Sequence, residues 1–474
     1  MSATLTISEW TVTGAAALTV LQWALIPHLL AQRCKPPGST LAWLWALLLF
    51  PAVGALLYIL IGNERVPRRR VAVMRALDTQ LHLTVGTSRK KRSELPTALP
   101  ELERVNGMPP ASGNNATFLP DGTSFFPVML EAINTAKHHV HLEFYIWNRD
   151  RAGVMVRDAL TKAAQRGVKV RALVDEMGSL TLTRRFFAPL IAAGGEFSWF
   201  GTFSPLRGMF HLNLRNHRKL LVADGVTALT GGMNIGEEYW GGSGGPPYRD
   251  LGVRLRGPVV RQLAEVFSQD WYFATGKALT SADYYPEVDV CGEVGVQVVP
   301  GAPDNDVDEV QLSTLAMLHL AEKRIRVMTP YFVPEPPLLA ALQLAAMRGV
   351  DVAILVPAKC DHFYLTHVMR SYYDDLLPHG VRICEYHPRL LHAKALTVDG
   401  LFTMVGSANL DTRSMRLNFE LNVILACKET TLAVDRYFDG NAADAREVSL
   451  EEYQRRPLLH KIAEAVFRPA APLL

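Results

Sequence analysis

Two constellations in this chain have residue types suited to phosphoryl chemistry. His217, Lys219, Asp224, Gly231, Gly232 and Asn234 recur as His392, Lys394, Asp399, Gly406, Ser407 and Asn409 with identical spacing, His-x-Lys-x4-Asp-x6-Gly-(Gly/Ser)-x-Asn. On a strand, residues i and i+2 share a face, so each histidine emerges beside its lysine. A phosphoryl group in transfer spreads negative charge over its oxygens, and two lysines with two asparagines, Asn234 and Asn409, can donate to those oxygens from fixed positions. Two histidines divide the remaining work: one attacks phosphorus while the other protonates the leaving oxygen. Neither copy contains both histidines, so the two copies must meet in one site that needs no metal.

A nucleophilic histidine has to be held in one tautomer by a partner on its other ring nitrogen. Carboxylates in strand-like context follow each motif, Asp250 in "YRDLGVRL" and Glu420 in "NFELNVIL". Sequence order pairs Asp250 with His217 and Glu420 with His392. Asp224 and Asp399, five residues beyond the lysines, belong to the catalytic motif but are expected one layer out, binding backbone at a strand end. Arg215, Arg218, Tyr331, Arg370 and Tyr373 are candidates for contacts with the groups that flank the phosphorus, and His362 and His367 for single contacts with substrate. His139 and His141 share a strand face in "HHVH", yet no third ligand follows at metal-site spacing, and the stretch reads as the start of a strand.

The elements that position these groups are themselves repeated. "ALTKAAQRGVKVRALVD" (159–175) aligns without gaps on "ALQLAAMRGVDVAILVP" (341–357), each an amphipathic helix, a glycine turn and an apolar strand. "HHVHLEFYIW" and "KRIRVMTPYFVP" precede them as strands with aromatic ends; "LIAAGGEFSWF" and "LLPHGVRICEYH" follow as helix end, glycine and strand. The expected fold class is α/β: two pseudo-symmetric halves, 110–290 and 291–474, packed as one catalytic unit. The first half carries an extra loop with Phe203, Leu206, Met209 and Phe210, placed to dip into an acyl region or to pack on the protein, and a "GGSGGPP" connection that lacks the Lys-Ser/Thr of a phosphate-binding loop.

Before the halves, no Asp, Glu, Lys or Arg occurs from Trp10 to Gln32 or from Pro36 to Asn63. Each stretch exceeds the roughly 20 residues that a hydrocarbon core requires, which predicts two transmembrane helices, about 10–32 and 38–62 within 1–62. No basic region precedes the first, which argues against a cleaved signal peptide. A basic polar linker, 63–109, follows with Arg65, Arg68, Arg69, Arg70 and Arg75, outweighing Arg33 and Lys35 in the hairpin loop and placing the catalytic unit on the cytoplasmic side. The carboxyl end, "PLLHKIAEAVFRPAAPLL", reads as an amphipathic segment, lying on a membrane with Lys461 and Arg468 at the headgroups or packing on the core. A net charge of +3 gives no basic surplus that would imply nucleic acid. Five cysteines, odd in number and without CxxC spacing, suggest reduced thiols.

The doubled motif resembles that of the phospholipase D superfamily over nearly all of residues 110–474. More narrowly, "RNHRKLLVADG", "GGMNIGEEY", "RDLGVRLRGPVV", "TPYFVPEPPLLAAL", "LHAKALTVDG" and "GSANLDTRSMRLNFE" resemble the bacterial cardiolipin synthases. That resemblance implies transphosphatidylation: one phosphatidylglycerol gives its phosphatidyl group to a histidine, glycerol leaves, and a second phosphatidylglycerol takes the group to form cardiolipin. It also implies His217 as nucleophile and His392 as general acid and later base, with the exchanged assignment open, no metal or other cofactor, and work at the cytoplasmic membrane, with self-association left open. The alternatives are a phospholipase D that hydrolyses or transphosphatidylates other phospholipids, and a membrane-anchored scaffold.

Overall fold

The computed structural model describes residues 20, 22–31, 37–62, 108–201, 214–242, 246–303 and 307–473. Most of the first expected span, the basic linker up to residue 107 and the loop bearing Phe203, Leu206, Met209 and Phe210 lie outside the described residues.

Among the described residues, sixteen strands build the sheet. The first half supplies β1 (Ala111–Pro120), β2 (His139–Phe144), β3 (Lys169–Asp175), β4 (Glu196–Phe200), β5 (Arg215–Asn216), β6 (Leu220–Ala223), β7 (Thr227–Gly231) and β8 (Leu251–Arg256). The second supplies β9 (Val294–Gly301), β10 (Arg324–Met328), β11 (Asp351–Pro357), β12 (Arg382–Tyr386), β13 (Ala395–Val398), β14 (Phe402–Gly406), β15 (Asn418–Ala426) and β16 (Ala445–Glu447). The order β4-β3-β2-β6-β7-β8-β1 is repeated as β12-β11-β10-β13-β14-β15-β9, and β1 and β9 pair antiparallel to join the two runs. The sequence repeat is thus a topological repeat. β16 extends the β12 edge without a first-half counterpart, and β5 stands off the path, beside β15.

Local sequence explains the matching halves. Helix Arg151–Gln165 begins at Asp150, whose carboxylate accepts from the Gly153 N–H, and helix Pro336–Met347 begins with proline, whose missing N–H costs nothing at a first turn. Both end in an Arg-Gly pair whose glycine, Gly167 or Gly349, takes positive φ (90° and 88°), a conformation that closes a helix and starts the next strand cheaply only for glycine. β3 and β11 are buried almost throughout, as expected of strands flanked by parallel neighbours and covered by helices. Each half has its own apolar core, around Phe126, Val156 and Phe187 in the first and Met317, Ile354 and Leu376 in the second.

At the amino end, helices Pro37–Leu49 and Pro51–Ile61 occupy the second expected span. Pro51 divides it: proline has no N–H to give and disfavours helical backbone at the residue before it, and Phe50 sits at φ −131°, ψ 66°. Among the described residues no helix is both long and apolar enough to cross a membrane. Trp45, Leu49, Phe50 and Val53 are nonetheless exposed there.

Candidate active site

Backbone pairing between the halves sets the site. β5 runs parallel to the start of β15, Arg215 beside Asn418 and Asn216 beside Phe419, and the His217 N–H donates to the Phe419 carbonyl at 2.9 Å. The same arrangement occurs on the other side, where Arg249 bridges to Leu391 and the His392 N–H donates to the Arg249 carbonyl at 2.6 Å. Each histidine is therefore tied to the residue just before a carboxylate of the opposite half. His217 Nδ1 lies 3.0 and 3.1 Å from the two Glu420 oxygens, and His392 Nδ1 lies 2.7 Å from Asp250 Oδ2. The pairing expected from sequence order, Asp250 with His217 and Glu420 with His392, is reversed. Chain order could not show this, because the strand segments that carry the histidines are completed by the other half.

The glycine tails of the motifs serve these carboxylates. A Cβ on Gly231 would stand 2.5 Å from the Leu251 carbonyl oxygen, and one on Gly406 would stand 2.2 Å from that of Leu421, so both strands approach too closely for a side chain. A Cβ on Gly232 would meet Asp250 Oδ1 at 2.2 Å. The longer Glu420 leaves room for Ser407, whose hydroxyl donates to Glu420 Oε2.

Both histidines are pushed down to about 4, first by burial; Lys219 and Glu420 act in opposite directions on His217, and Lys394 and Asp250 do so on His392. Burial alone would raise Glu420, but His217, the hydrogen bond with it and Lys219 hold it at about 2. At neutral pH His217 is thus a neutral ring with an anion on Nδ1, which places the proton on Nδ1 and the lone pair on Nε2.

The Lys219 ammonium donates to the His217 carbonyl at 2.6 Å and lies 5.4 Å over the Tyr145 ring. The Lys394 ammonium donates to the His392 carbonyl at 2.5 Å and stands over the ring edge, 2.7 Å from His392 Nδ1 and 3.1 Å from Nε2. Burial pulls Lys219 well below its ordinary value and Lys394 to about 8. Each lysine also depresses the histidine of the other motif, so the two motifs face one electrostatic site.

The remaining sequence candidates fall into different places. Asp224 and Asp399 take left-handed backbone (φ 52° and 54°), and each carboxylate accepts three consecutive N–H groups: those of Lys137, His138 and His139, and those of Glu322, Lys323 and Arg324. They pin the β6–β7 and β13–β14 turns to the starts of β2 and β10. Asn234 donates to the Tyr239 hydroxyl at 2.9 Å and accepts from the Ile146 N–H, whereas Asn409 Oδ1 is buried without a partner.

Arg215 lies 4.0 Å from Asp175, which burial raises to about 6 although it accepts from the Asn216, Met177 and Gly178 N–H groups. Arg218 is a buried tie to Asp270 and to the Glu420 and Gly301 carbonyls. Tyr331 donates to Asp361. Arg370 and Tyr373 both engage Glu385, and the pocket beside Arg370 is lined by no residue of either motif. His367 stacks on Phe467 and His362 on Tyr364. His139 and His141 are buried, and among the described residues no group of three His, Cys, Asp or Glu could hold a metal. Cys291, Cys360, Cys384 and Cys427 are unpaired thiols.

Sequence reasoning missed Tyr145, whose ring meets His217 edge-on at 4.8 Å, and Tyr239, whose hydroxyl is 3.5 Å from His392 Nε2. It also missed Asp175, which anchors Asn216 next to the histidine. Tyr145 lies in the aromatic end of the β2 segment, the one signal that marked it.

A family described as "Cardiolipin synthase, PLD-like domain" matches residues 129–271 and 314–441, which contain both motifs and both carboxylates, and "Phospholipase_D-nuclease N-terminal" matches 18–63. Cardiolipin synthase 1 of Bacillus anthracis is 35% identical over 457 residues, 93% of this chain and 90% of that protein. The cardiolipin synthase of Geobacillus sp. (strain WCH70) is 35% identical over 474 residues, 97% and 94% of the two chains. Phosphatidylserine synthase of Haemophilus influenzae Rd KW20 shares the fold with a TM-score of 0.59 at 17% identity, covering 78% of this chain and 96% of that one.

Proposed function

The chain belongs to the cardiolipin synthase family of phospholipase D-like proteins, and from that premise we propose how its two halves make cardiolipin from phosphatidylglycerol. The enzyme is a phosphatidyltransferase. His217 Nε2 attacks the phosphorus of one phosphatidylglycerol; the P–N bond forms as the P–O bond to glycerol breaks, and His392, protonated on Nε2 once the anionic phosphodiester opposes the burial and the Lys394 charge that hold it down, gives that proton to the departing oxygen. In the second step the hydroxyl of another phosphatidylglycerol loses its proton to His392 and attacks phosphorus, and the P–N bond breaks to release cardiolipin and restore His217. Lys219 and Lys394 hold the charge on the phosphoryl oxygens. The observation that carries this reading is the pair of crossed contacts, His217 with Glu420 and His392 with Asp250, which makes one site of two half-sites. The Asn409 oxygen, buried without a partner, is placed to accept from a hydroxyl of the lipid headgroup, whereas the amide groups of Asn409 and Asn234 already serve Asp411 and Tyr239.

The segment 1–62 anchors the enzyme as two membrane spans, with the catalytic unit on the cytoplasmic side. Its support is the pair of charge-free stretches, the match over 18–63, the exposed apolar side chains of Pro37–Leu49 and Pro51–Ile61, and the arginines after residue 64.

The test is mass spectrometry of lipids and released glycerol after the purified chain meets phosphatidylglycerol in mixed micelles with a chelator present, beside His217→Ala and His392→Ala. Cardiolipin and glycerol from the native chain, with both variants silent, is the expected result. Phosphatidic acid alone would make the enzyme a hydrolase, and turnover in either variant would remove the two-histidine mechanism.

A further inference from the structure

Helix Leu458–Phe467 is mounted with its apolar edge outward. Leu458, Leu459, Ile462 and Val466 are 71, 77, 49 and 65% exposed, whereas Glu464, on the opposite edge, is 3% exposed. Glu464 is held inside by Arg456 at 2.7 Å and by the Tyr453 hydroxyl at 3.1 Å. A helix on the surface of a water-soluble domain places its apolar stripe toward the core and its charges toward solvent; this one does the reverse. Phe363, 72% exposed, extends the apolar patch from the neighbouring helix Phe363–Arg370, its ring 5.8 Å from that of Phe467.

Arginines with their ion-pair partners, and one exposed lysine, border the patch. Arg455 pairs with Glu451, Arg456 with Asp374 and Glu464, and Arg468 with Asp375, while the exposed Lys461 ammonium donates to the Gln454 carbonyl. Beside them Arg446, Arg455, Arg456 and His460 line a polar pocket together with Glu385, Glu452 and Glu464. Aliphatic side chains flanked by cations suit the boundary between headgroups and acyl chains of an anionic bilayer. The patch also adjoins the active site: Phe363 follows Asp361 by two residues, and Asp361 accepts from Tyr331 at 2.7 Å. Its charge also acts on Lys394.

We propose that Leu458, Leu459, Ile462 and Val466, with Phe363, form the surface by which the catalytic unit rests on an anionic phospholipid bilayer. The proposal rests on the phospholipid reading above. Contact there brings the Tyr331–Asp361 side of the site down to headgroup level, so that a substrate need not leave the bilayer entirely to reach the histidines.

The test uses the full chain in nanodiscs, with its native cysteines replaced by alanine and an environment-sensitive fluorophore on Leu459→Cys or, as control, on Val226→Cys, an exposed apolar position of the first half. In phosphatidylglycerol discs the label at 459 should brighten several-fold and shift to the blue relative to detergent, the control should not, and phosphatidylcholine discs should give a smaller response. In the same discs, Leu459→Glu with Ile462→Glu should lower cardiolipin formation at least about tenfold. A label at 459 as wet as the control in both kinds of disc overturns the proposal, as does a signal that tracks cross-linking between two copies at 459. Equal responses in the two lipids overturn its anionic part. If the native chain forms no cardiolipin while the label still enters the bilayer, the functional reading fails and the docking surface stands.

Discussion

The crossed pairing makes a prediction that separates it from the pairing suggested by chain order. Glu420→Gln removes the anion that fixes the His217 tautomer while keeping the side chain's size. Glu420 is fully enclosed and held at about 2 against an ordinary 4.5, so its ionised form is favoured by roughly 3 kcal/mol at about 1.4 kcal/mol per unit, on the order of a hundredfold in rate if all of it acts in the transition state. Loss of the correct tautomer adds to this; neutralising the aspartate of a serine-protease triad costs about 10⁴-fold, so a loss of about 10² to 10⁴ is expected here. The assay is a stopped-flow burst with a p-nitrophenyl phosphodiester, whose leaving group needs no proton, so the burst reports nucleophilic attack alone. Glu420→Gln should abolish the burst, whereas Asp250→Asn should leave it within about tenfold while slowing turnover of phosphatidylglycerol. Peptide mapping of the quenched enzyme identifies the histidine that carries the phosphoryl group, so the test does not depend on the His217 assignment. The reasoning is refuted if the burst disappears on neutralising the carboxylate from the same half as the phosphorylated histidine.

Three further outcomes are expected. Lys394, at about 8, must be protonated to hold phosphoryl charge, so kcat/KM should be full below that pH and fall about tenfold per unit above it; Lys394→Arg should be slower but should lose this alkaline limb, read from a pH profile. Tyr239→Phe should slow turnover of phosphatidylglycerol about tenfold or more and leave the p-nitrophenyl burst nearly unchanged, because its hydroxyl stands beside His392 Nε2 and not beside His217. Burial, partly offset by Asp224, pushes His139 down to about 4, and both of its ring nitrogens lack partners; the unfolded chain then binds the proton more readily, and stability falls as pH drops from about 6.5 toward 4. His139→Leu should therefore gain about 2 kcal/mol over the native chain at pH 5 and little at pH 8, measured by denaturant unfolding.

The repeat was legible because its signals are local. Arg166-Gly167 and Arg348-Gly349 end helices by the same left-handed turn, and His-x-Lys needs only the two-residue period of a strand. Asp224 and Asp399 were legible as backbone anchors, since five residues carry a strand past the chemistry to its turn. What chain order hid is long-range: β5 is a two-residue strand whose partner lies some 200 residues away, and the contact of Glu420 with His217 follows from that register alone. The types of Arg370 and Tyr373 suit contacts with substrate, and only the fold shows that Glu385, on strand β12, engages both. Pro51 marks where the charge-free stretch divides into helices Pro37–Leu49 and Pro51–Ile61.

A duplicated motif by itself gives two equivalent histidines, while the reaction needs two different ones. The structure breaks the equivalence in the surroundings of each ring. Around His217, Glu420 engages Nδ1 with both oxygens and is itself braced by Ser407 and by Asn418 at 3.2 Å; among the described residues the ring makes hydrogen bonds through Nδ1 only, so Nε2 faces the site with its lone pair. Around His392, Asp250 engages Nδ1 with one oxygen and accepts from the Leu251 N–H with the other, while the Lys394 ammonium stands 2.7 Å from Nδ1 and 3.1 Å from Nε2 and the Tyr239 hydroxyl lies 3.5 Å from Nε2. A nucleophile gains from an unoccupied lone pair and a rigid anion behind it; an acid that must later become a base gains from neighbours that can receive and return a proton. The Gly232/Ser407 difference is part of the same divergence. Glycine admits the short Asp250 against the strand, and serine braces the longer Glu420 from a further hydrogen bond. The asymmetry in carboxylate length, bracing and Nε2 environment therefore favours His217 as the residue that bonds to phosphorus and His392 as the one that moves the proton.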